Sequence, residues 1–245
     1  MSIFTCDNKD EFIYDIFPNS NQSYFVDVGA SDGIYGSNTF SLEKRGWGGI
    51  CIEPHEDIFE ELEKNRSCKV NSGLVSLDRR LVDFSKQKYE PHIKGNLGKK
   101  IYGGFSHAWR GGSGISENLK SPVEAKSFEK VKIKTKTLTD ILDEEKAPRY
   151  IELLDIDTEG NDLNVILGID WDKYRFGCIL VESNNKEIEE NLRDVGYTMQ
   201  QEFSQEYLYV DLKKEGLIEN VKNVQNIGYW SDRIFGETCL PGASP

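Results

Sequence analysis

An apolar run that stops at a glycine turn, followed by a second such run, most constrains how this chain can fold. Tyr24–Val28 is rich in β-branched and aromatic residues and ends at Gly29, which predicts a buried strand and a turn. Gly33 gives the backbone conformational freedom before a helix that we predict over about 37–44. The apolar residues over 50–52 predict a second buried strand. This order favours an open, mostly parallel sheet with helices on both faces.

Both predicted strands end in groups that can bind a nucleoside. A glycine turn before a helix offers free amides and lets a ligand approach the main chain. Glu53 closes the second strand about twenty residues on, where a carboxylate can accept hydrogen bonds from both ribose hydroxyls. An ordinary turn and a surface glutamate are the plainer alternative. We predict a cofactor site made of Asp27, Gly29, Ala30, Ser31, Asp32, Gly33, Glu53, Pro54 and Val75.

The turn does not have the glycine spacing of a dinucleotide site. Such sites bring Gly-x-Gly-x-x-Gly against a pyrophosphate, but here Gly29 is followed by Ala30, and Ser31 stands where the second glycine belongs. Asp27 and Asp32 would add negative charge beside a diphosphate, whereas they suit the ammonium and sulfonium of S-adenosylmethionine. We therefore predict S-adenosylmethionine, with an NAD-dependent oxidoreductase as the less favoured alternative.

A second pair of acidic strand ends is predicted in the later half of the chain. Tyr150–Ile156 predicts a strand that ends at Asp157 and Glu159, and 176–181 predicts the next strand, which Glu182 closes. Carboxylates at such ends can orient an acceptor hydroxyl or take its proton. We predict Asp157 and Glu182 as catalytic residues. Capping of the following helix is the plainer alternative.

Glycines are concentrated between the two halves, within 77–130. A long loop in a compact domain is typically functional or disordered, and we expect this one to be an insertion that acts as a lid over the acceptor. His107 lies in it and is a third candidate catalytic residue, as a general base. A divalent ion held by Asp157 and Glu182 would also acidify a hydroxyl, but it is not the favoured alternative.

Length and composition narrow the class of protein. A chain of 245 residues can bury one core, so we expect a single domain over 1–245, with a cap over 1–22 and a tail over 213–245. The net charge of -12 argues against nucleic-acid binding, and no apolar run is long enough to span a membrane. Five cysteines without a Cys-x-x-Cys pair, and the lack of a signal-peptide pattern, favour the cytoplasm.

Several motifs recur in a fixed order between about residues 24 and 212. They are Val26-Asp-Val-Gly-Ala-Ser-Asp-Gly33, Ile52-Glu-Pro54, Thr137-Leu-Thr-Asp-Ile-Leu142, Leu154-Asp-Ile-Asp-Thr-Glu-Gly160, Leu167-Gly168 and Tyr207-Leu-Tyr-Val210. Together they resemble the FkbM-type class I S-adenosylmethionine-dependent methyltransferases. The sequence departs from that family at Asp155, where relatives usually carry a lysine.

The resemblance implies a fold and an activity. The implied fold is α/β: a Rossmann-like, doubly wound, seven-stranded sheet, mostly parallel with an antiparallel last strand. The implied reaction is transfer of a methyl group to a hydroxyl oxygen of a sugar or glycan-related acceptor. A noncatalytic protein that kept only the cofactor fold is the main alternative, and the sequence leaves open whether the chain forms a homo-oligomer.

Overall fold

The computed structural model describes residues 8–18, 23–87, 114–115 and 128–226. His107 and most of the glycine-rich stretch around it lie outside these residues.

The described strands fall in two sheets. In chain order they are β1 (Tyr24–Val28), β2 (Gly48–Ile52), β3 (Lys69–Asn71), β4 (Leu74–Val75), β5 (Leu81–Gln87), β6 (Gly114–Ile115), β7 (Phe128–Lys136), β8 (Tyr150–Ile156), β9 (Arg175–Val181), β10 (Tyr197–Phe203) and β11 (Glu206–Asp211). The larger sheet has the order β10-β11-β9-β8-β1-β2-β3, and the smaller has the order β4-β7-β5-β6.

The described helices connect and cover these strands. They are α1 (Lys9–Ile16), α2 (Phe40–Lys44), α3 (Glu56–Asn65), α4 (Leu138–Glu144), α5 (Asp162–Leu167), α6 (Lys186–Asp194) and α7 (Leu217–Asn226). No helix in the described ranges is both long and apolar enough to cross a membrane.

The larger sheet confirms the expected α/β class. Its strands are parallel except at β11, which runs antiparallel to both β9 and β10. β1 lies between β2, which follows it in the chain, and β8, which comes much later, so the strand order reverses beside β1. In open sheets, ligands bind outside the carboxyl ends of the strands at such a point. The topology therefore directs attention to the end of β1.

Alternate residues of β1 face two separate apolar layers. Val26 and Val28 belong to the layer that contains the side chains of α4, α5 and α6, whereas Phe25 belongs to the layer covered by α1 and α7. Because side chains alternate along a strand, Asp27 shares the face of Phe25. A carboxylate therefore lies on an otherwise apolar face of the central strand, only 6% exposed.

Residues 69–75 predict a third strand after the two that carry the glycine turn and Glu53, but the prediction of a single element is wrong. The segment is divided into β3 and β4, which belong to different sheets. Between them the Gly73 amide donates to Asn71 Oδ1 at 2.9 Å, and a Cβ on Gly73 would lie 2.7 Å from Ile141 Cδ1. This side-chain-capped turn, packed against α4, redirects the chain so that β4 pairs with β7.

Two helices also differ from expectation. The first helix after the glycine turn begins at Phe40 instead of residue 37, because Ser37 Oγ accepts hydrogen bonds from the Thr39 and Phe40 amides and forms a turn there. α7 was not predicted. Its buried residues Leu217, Val221 and Val224 recur at helical spacing.

Candidate active site

The ends of four strands meet at one edge of the larger sheet. The Gly29 amide after β1 donates to Ile52 O of β2 at 2.9 Å, and the Asp157 amide after β8 donates to Val28 O at 3.0 Å. The Glu182 amide after β9 donates to Ile156 O at 3.1 Å. The glycine turn and both acidic strand ends predicted from the sequence are therefore brought to the same edge.

The glycine turn is fixed by its own side chains. The Gly33 amide donates to Ala30 O at 2.9 Å, and Gly29 and Gly33 have φ of 92° and 77°. Asp32 Oδ1 accepts from the amides of Ile34 and Tyr35, both at 2.9 Å. The buried Asp32 carboxylate thus holds the chain where it leaves the turn, and its predicted contact with a cofactor stays a prediction.

Glu53 joins the end of β2 to this turn. Its Oε2 accepts from the Ser31 amide at 3.1 Å, and its Oε1 accepts from the His55 amide at 2.8 Å, across the half-buried Pro54. Burial raises the pKa of Glu53 to about 7, although both amides act to lower it. A carboxylate has about four lone-pair sites, so each oxygen can accept one further hydrogen bond.

The buried Arg66, which no local sequence pattern marks, lies beside Asp27. Thr39 Oγ1 donates to Asp27 Oδ2 at 2.5 Å, and Arg66 Nη1 lies 4.0 Å from the same oxygen. The fully buried Arg66 side chain also donates to Glu43 Oε2 at 2.5 Å and to Gly33 O at 3.1 Å. Burial still raises the pKa of Asp27, with Arg66 and Thr39 opposing it.

The second acidic cluster contains Asp157, Glu182, Glu159 and Asp162. The carboxyl groups of Asp157 and Glu182 lie next to each other. Burial, followed by the charges of Glu182 and its neighbours, raises the pKa of Asp157 well above its usual range. Burial and the charge of Glu182 raise the pKa of Glu159 to about 7. The Glu159 carboxyl therefore exchanges its proton near neutral pH.

The turn that carries this cluster has a strained backbone at one residue and is held by side-chain hydrogen bonds. Glu159 has a φ of 54°, in a region that costs a non-glycine residue about 1–3 kcal/mol. Thr158 donates to Asp162 Oδ1 through its amide at 3.0 Å and its hydroxyl at 2.7 Å. Asn161 Nδ2 donates to Val75 O at 2.7 Å and so connects the turn to the smaller sheet. Val75, predicted to contact the cofactor, is buried beside this edge.

Among the described residues, no group of three or more His, Cys, Asp or Glu side chains has an arrangement that would hold a metal ion. The two residues predicted as possible metal ligands, Asp157 and Glu182, lie next to each other.

The raised carboxyl pKa values predict that the free protein loses stability as pH rises. A carboxyl whose pKa is raised in the native state keeps a proton that the unfolded chain has released, so the free energy of unfolding falls from about pH 5 to 8. Glu53 alone, with its pKa raised from 4.5 to about 7, accounts for about 3 kcal/mol. We expect Tm to drop by roughly 5–10 °C between pH 5.5 and 8, measured by circular dichroism.

The control for this pH dependence is Glu53→Gln, whose melting temperature should vary less over the same range. Glu43, Asp140 and Asp143 have lowered pKa values, so their protonation acts on stability only below this window. A wild-type Tm that stays constant or rises with pH would contradict the assignment.

A family model and a solved structure match the chain. A family model described as the methyltransferase FkbM domain matches residues 27–199, a span that contains the glycine turn, Glu53, Asp157 and Glu182. A solved structure described as "METTL16 MTase domain (crystal form 2)" matches with a TM-score of 0.43 and 14% identity, over 83% of this chain and 66% of that one. The match thus spans just under two thirds of that protein's length. No curated protein matches the sequence.

Proposed function

Because this chain belongs to the FkbM family of methyltransferase domains, we propose that it transfers the methyl group of S-adenosylmethionine to a hydroxyl oxygen. The acceptor class we propose is a sugar or a glycan-related metabolite. The observation that carries the proposal is the hydrogen bond between Glu53 and the Ser31 amide, which joins a ribose-binding carboxylate to a glycine turn. The sheet order, with β1 at the switch point, supports a Rossmann-like fold for this site.

The donor site we propose is formed by the residues around the end of β1. Gly29, Ala30 and Gly33 hold the methionine portion, Asp27 helps to fix it, and the free lone pairs of Glu53 accept the two ribose hydroxyls. These carboxylates oppose a diphosphate but complement the positive charges of a sulfonium and an ammonium. When bound, S-adenosylmethionine supplies an electrophilic methyl carbon on a positively charged sulfur.

The acceptor side of the proposed reaction uses the second acidic cluster. In the transfer, a bond forms between the acceptor oxygen and the methyl carbon while the carbon–sulfur bond breaks, and the sulfur keeps that electron pair. The hydroxyl proton passes to the ionised Asp157 carboxylate, next to which Glu182 lies. Most of the rate enhancement then comes from alignment of the two reactants.

We also propose that the whole chain acts as one domain. In this arrangement the first 22 residues, including α1, cap one apolar layer, and the stretch over 77–130 approaches the acceptor. His107 would then be a second candidate base.

Glu53→Gln should weaken the binding of S-adenosylhomocysteine, the demethylated cofactor. Hydrogen bonds to a charged group contribute about 1.5–3 kcal/mol, so we expect Kd to rise by roughly ten- to a hundredfold in isothermal titration calorimetry. The matched ligand control is the 2′,3′-dideoxy analogue, which wild type and variant should bind almost equally. A variant that binds both ligands like wild type would show that Glu53 does not contact the ribose.

Methyl transfer itself is tested with S-adenosylmethionine labelled in the methyl group. Incubation with sugars, sugar nucleotides and extracts of the source cell should give a labelled, base-stable methyl ether. Cofactor binding without labelled product in any pool would favour a noncatalytic protein. Binding of NAD in preference to S-adenosylmethionine in competition calorimetry would favour an oxidoreductase instead.

A further inference from the structure

A second polar network lies beside the end of β1, on the layer that α1 covers. Asp155 on β8 is the register partner of Asp27 on β1. Asn38 Nδ2 donates to Asp155 Oδ1 at 3.3 Å and to the Glu206 carboxylate at 3.2 Å and 3.4 Å. Lys9 Nζ in turn lies 2.5 Å from Glu206 Oε1. Residues from four separate parts of the chain thus converge next to the proposed donor site.

One atom of this network lacks a hydrogen bond. Asn38 is 5% exposed, and among the described residues its Oδ1 has no partner. Leaving a buried amide oxygen without a donor is unfavourable, and an absent water or ion is one explanation for such a group in a native protein. The Nδ2 of the same amide contacts Asp155 and Glu206, so the unpartnered oxygen lies next to the acidic network, on the other branch of one amide group.

The charges of the network favour a cationic ligand with several donors. Lys9 is paired with Glu206, and Arg66 is hydrogen-bonded to Glu43 and 4.0 Å from Asp27. Among the carboxyls of this network, Asp155 therefore has the least of its negative charge balanced by a neighbouring cation. Burial and the charges of Asp27 and Glu206 raise its pKa well above the usual range, with Lys9 acting against them.

A primary ammonium fits this environment. It carries one positive charge and three N–H donors, and Asn38 Oδ1 and Asp155 offer it a neutral and a charged acceptor. A metal ion fits less well because no suitable group of ligands exists in the part of the chain that the structure describes.

We propose that Asn38 and Asp155 bind the α-ammonium group of the donor's methionine moiety. This assignment rests on the function proposed above, and it makes Asn38 a binding residue that contacts the cofactor directly. Lys9 and Glu206 are positioning residues, because they act by orienting the Asn38 amide. The network would then distinguish a complete amino-acid moiety from a bare nucleoside.

The test compares three ligands in calorimetry with the full chain. S-adenosylhomocysteine carries the ammonium, its deaminated analogue has a CH2 group in place of the CH–ammonium centre, and 5′-methylthioadenosine lacks the whole amino-acid portion. Wild type should bind S-adenosylhomocysteine roughly ten- to a hundredfold more tightly than the deaminated analogue. Asn38→Leu should abolish most of that difference and leave the affinity for 5′-methylthioadenosine unchanged.

Two further variants separate binding from structure. Asn38→Asp restores an acceptor oxygen and should retain more discrimination between the first two ligands than Asn38→Leu. Asn220→Leu removes an amide that donates to Ile16 O on the same layer, and it should leave all three affinities unchanged.

Each remaining outcome is decisive. Equal weakening of all three ligands by Asn38→Leu would assign Asn38 a structural role and overturn the inference. So would a wild-type protein that binds the deaminated analogue as tightly as S-adenosylhomocysteine. If wild type bound none of the three ligands, the proposed function itself would fail. Tight nucleoside binding without discrimination would reject only the ammonium site.

Discussion

Replacing Asp157 with asparagine should lower kcat for methyl transfer by about 10²- to 10⁴-fold, the usual contribution of a general base. Asparagine keeps the size of the side chain and a hydrogen-bonding oxygen but cannot take the acceptor proton. Because Asp157 lies on the acceptor side of the proposed site, cofactor affinity should change little. The measurement is single-turnover transfer of labelled methyl, with calorimetry of S-adenosylhomocysteine as the binding control and the exposed Asp172→Asn as the matched substitution.

The pH dependence of the same reaction distinguishes a base from a residue that only positions the acceptor. The pKa of Asp157 is raised by burial and by Glu182, so kcat should increase with pH as Asp157 ionises. Glu182→Gln removes a neighbouring negative charge, which should lower the pKa of Asp157 and move the rise in kcat to lower pH. An Asp157→Asn enzyme of wild-type rate would reject Asp157 as the base. An unshifted profile in Glu182→Gln would reject the coupling of the two carboxyls.

Gly29→Ala should destabilise the protein far more than the same change at Gly46. Both glycines have positive φ, 92° and 96°, so each substitution incurs a backbone strain of roughly 1–2 kcal/mol. A Cβ at Gly29 would lie only 1.8 Å from Asp157 O, whereas one at Gly46 has no atom within 4 Å. Overpacking adds about 1–3 kcal/mol or more at Gly29 alone.

Urea unfolding of the two glycine variants measures this difference. Gly46→Ala should remain folded with a modest loss, while Gly29→Ala should lose at least about 3 kcal/mol or fail to accumulate as folded protein. Equal losses at the two positions would show that the ends of β1 and β8 can separate without cost.

The position of Glu53 beside the glycine turn was predictable because it follows from how parallel strands align in a sheet. Tyr24–Val28 and the strand that ends at Ile52 are apolar runs, and the carboxyl ends of adjacent parallel strands must meet at one edge. The same rule places Asp157 and Glu182 there. Which of these ends are neighbours depends on the order of the strands in the sheet, which the structure gives.

Arg66 and Asn38 were not predictable because no local pattern marks them. Arg66 follows α3 as an ordinary basic residue, and its burial depends on Glu43 and Gly33, both distant in sequence. Asn38 sits in a polar stretch typical of any helix start, and its partners Asp155 and Glu206 lie on other strands. Long-range side-chain contacts of this kind require the fold itself.

The division of the third predicted strand has a different origin. Asn71-Ser-Gly73 is a turn signal between two short apolar pieces, and the Asn71 cap together with the packing of Gly73 against Ile141 separates β3 from β4. α7, by contrast, had a visible signal in the spacing of its apolar residues. The proposed role of His107 remains a prediction, because that residue lies outside the described ranges.

The reversed direction of β11 has a consequence for how the protein matures. Because this strand runs against its neighbours, its first residue, Glu206, reaches the edge where the parallel strands end. There it pairs with Lys9, 197 positions earlier in the chain. During synthesis the ribosome must therefore release Glu206 before this pair can close. A nascent chain can form β1 and the glycine turn early, but it cannot complete this polar network until β11 has been synthesised.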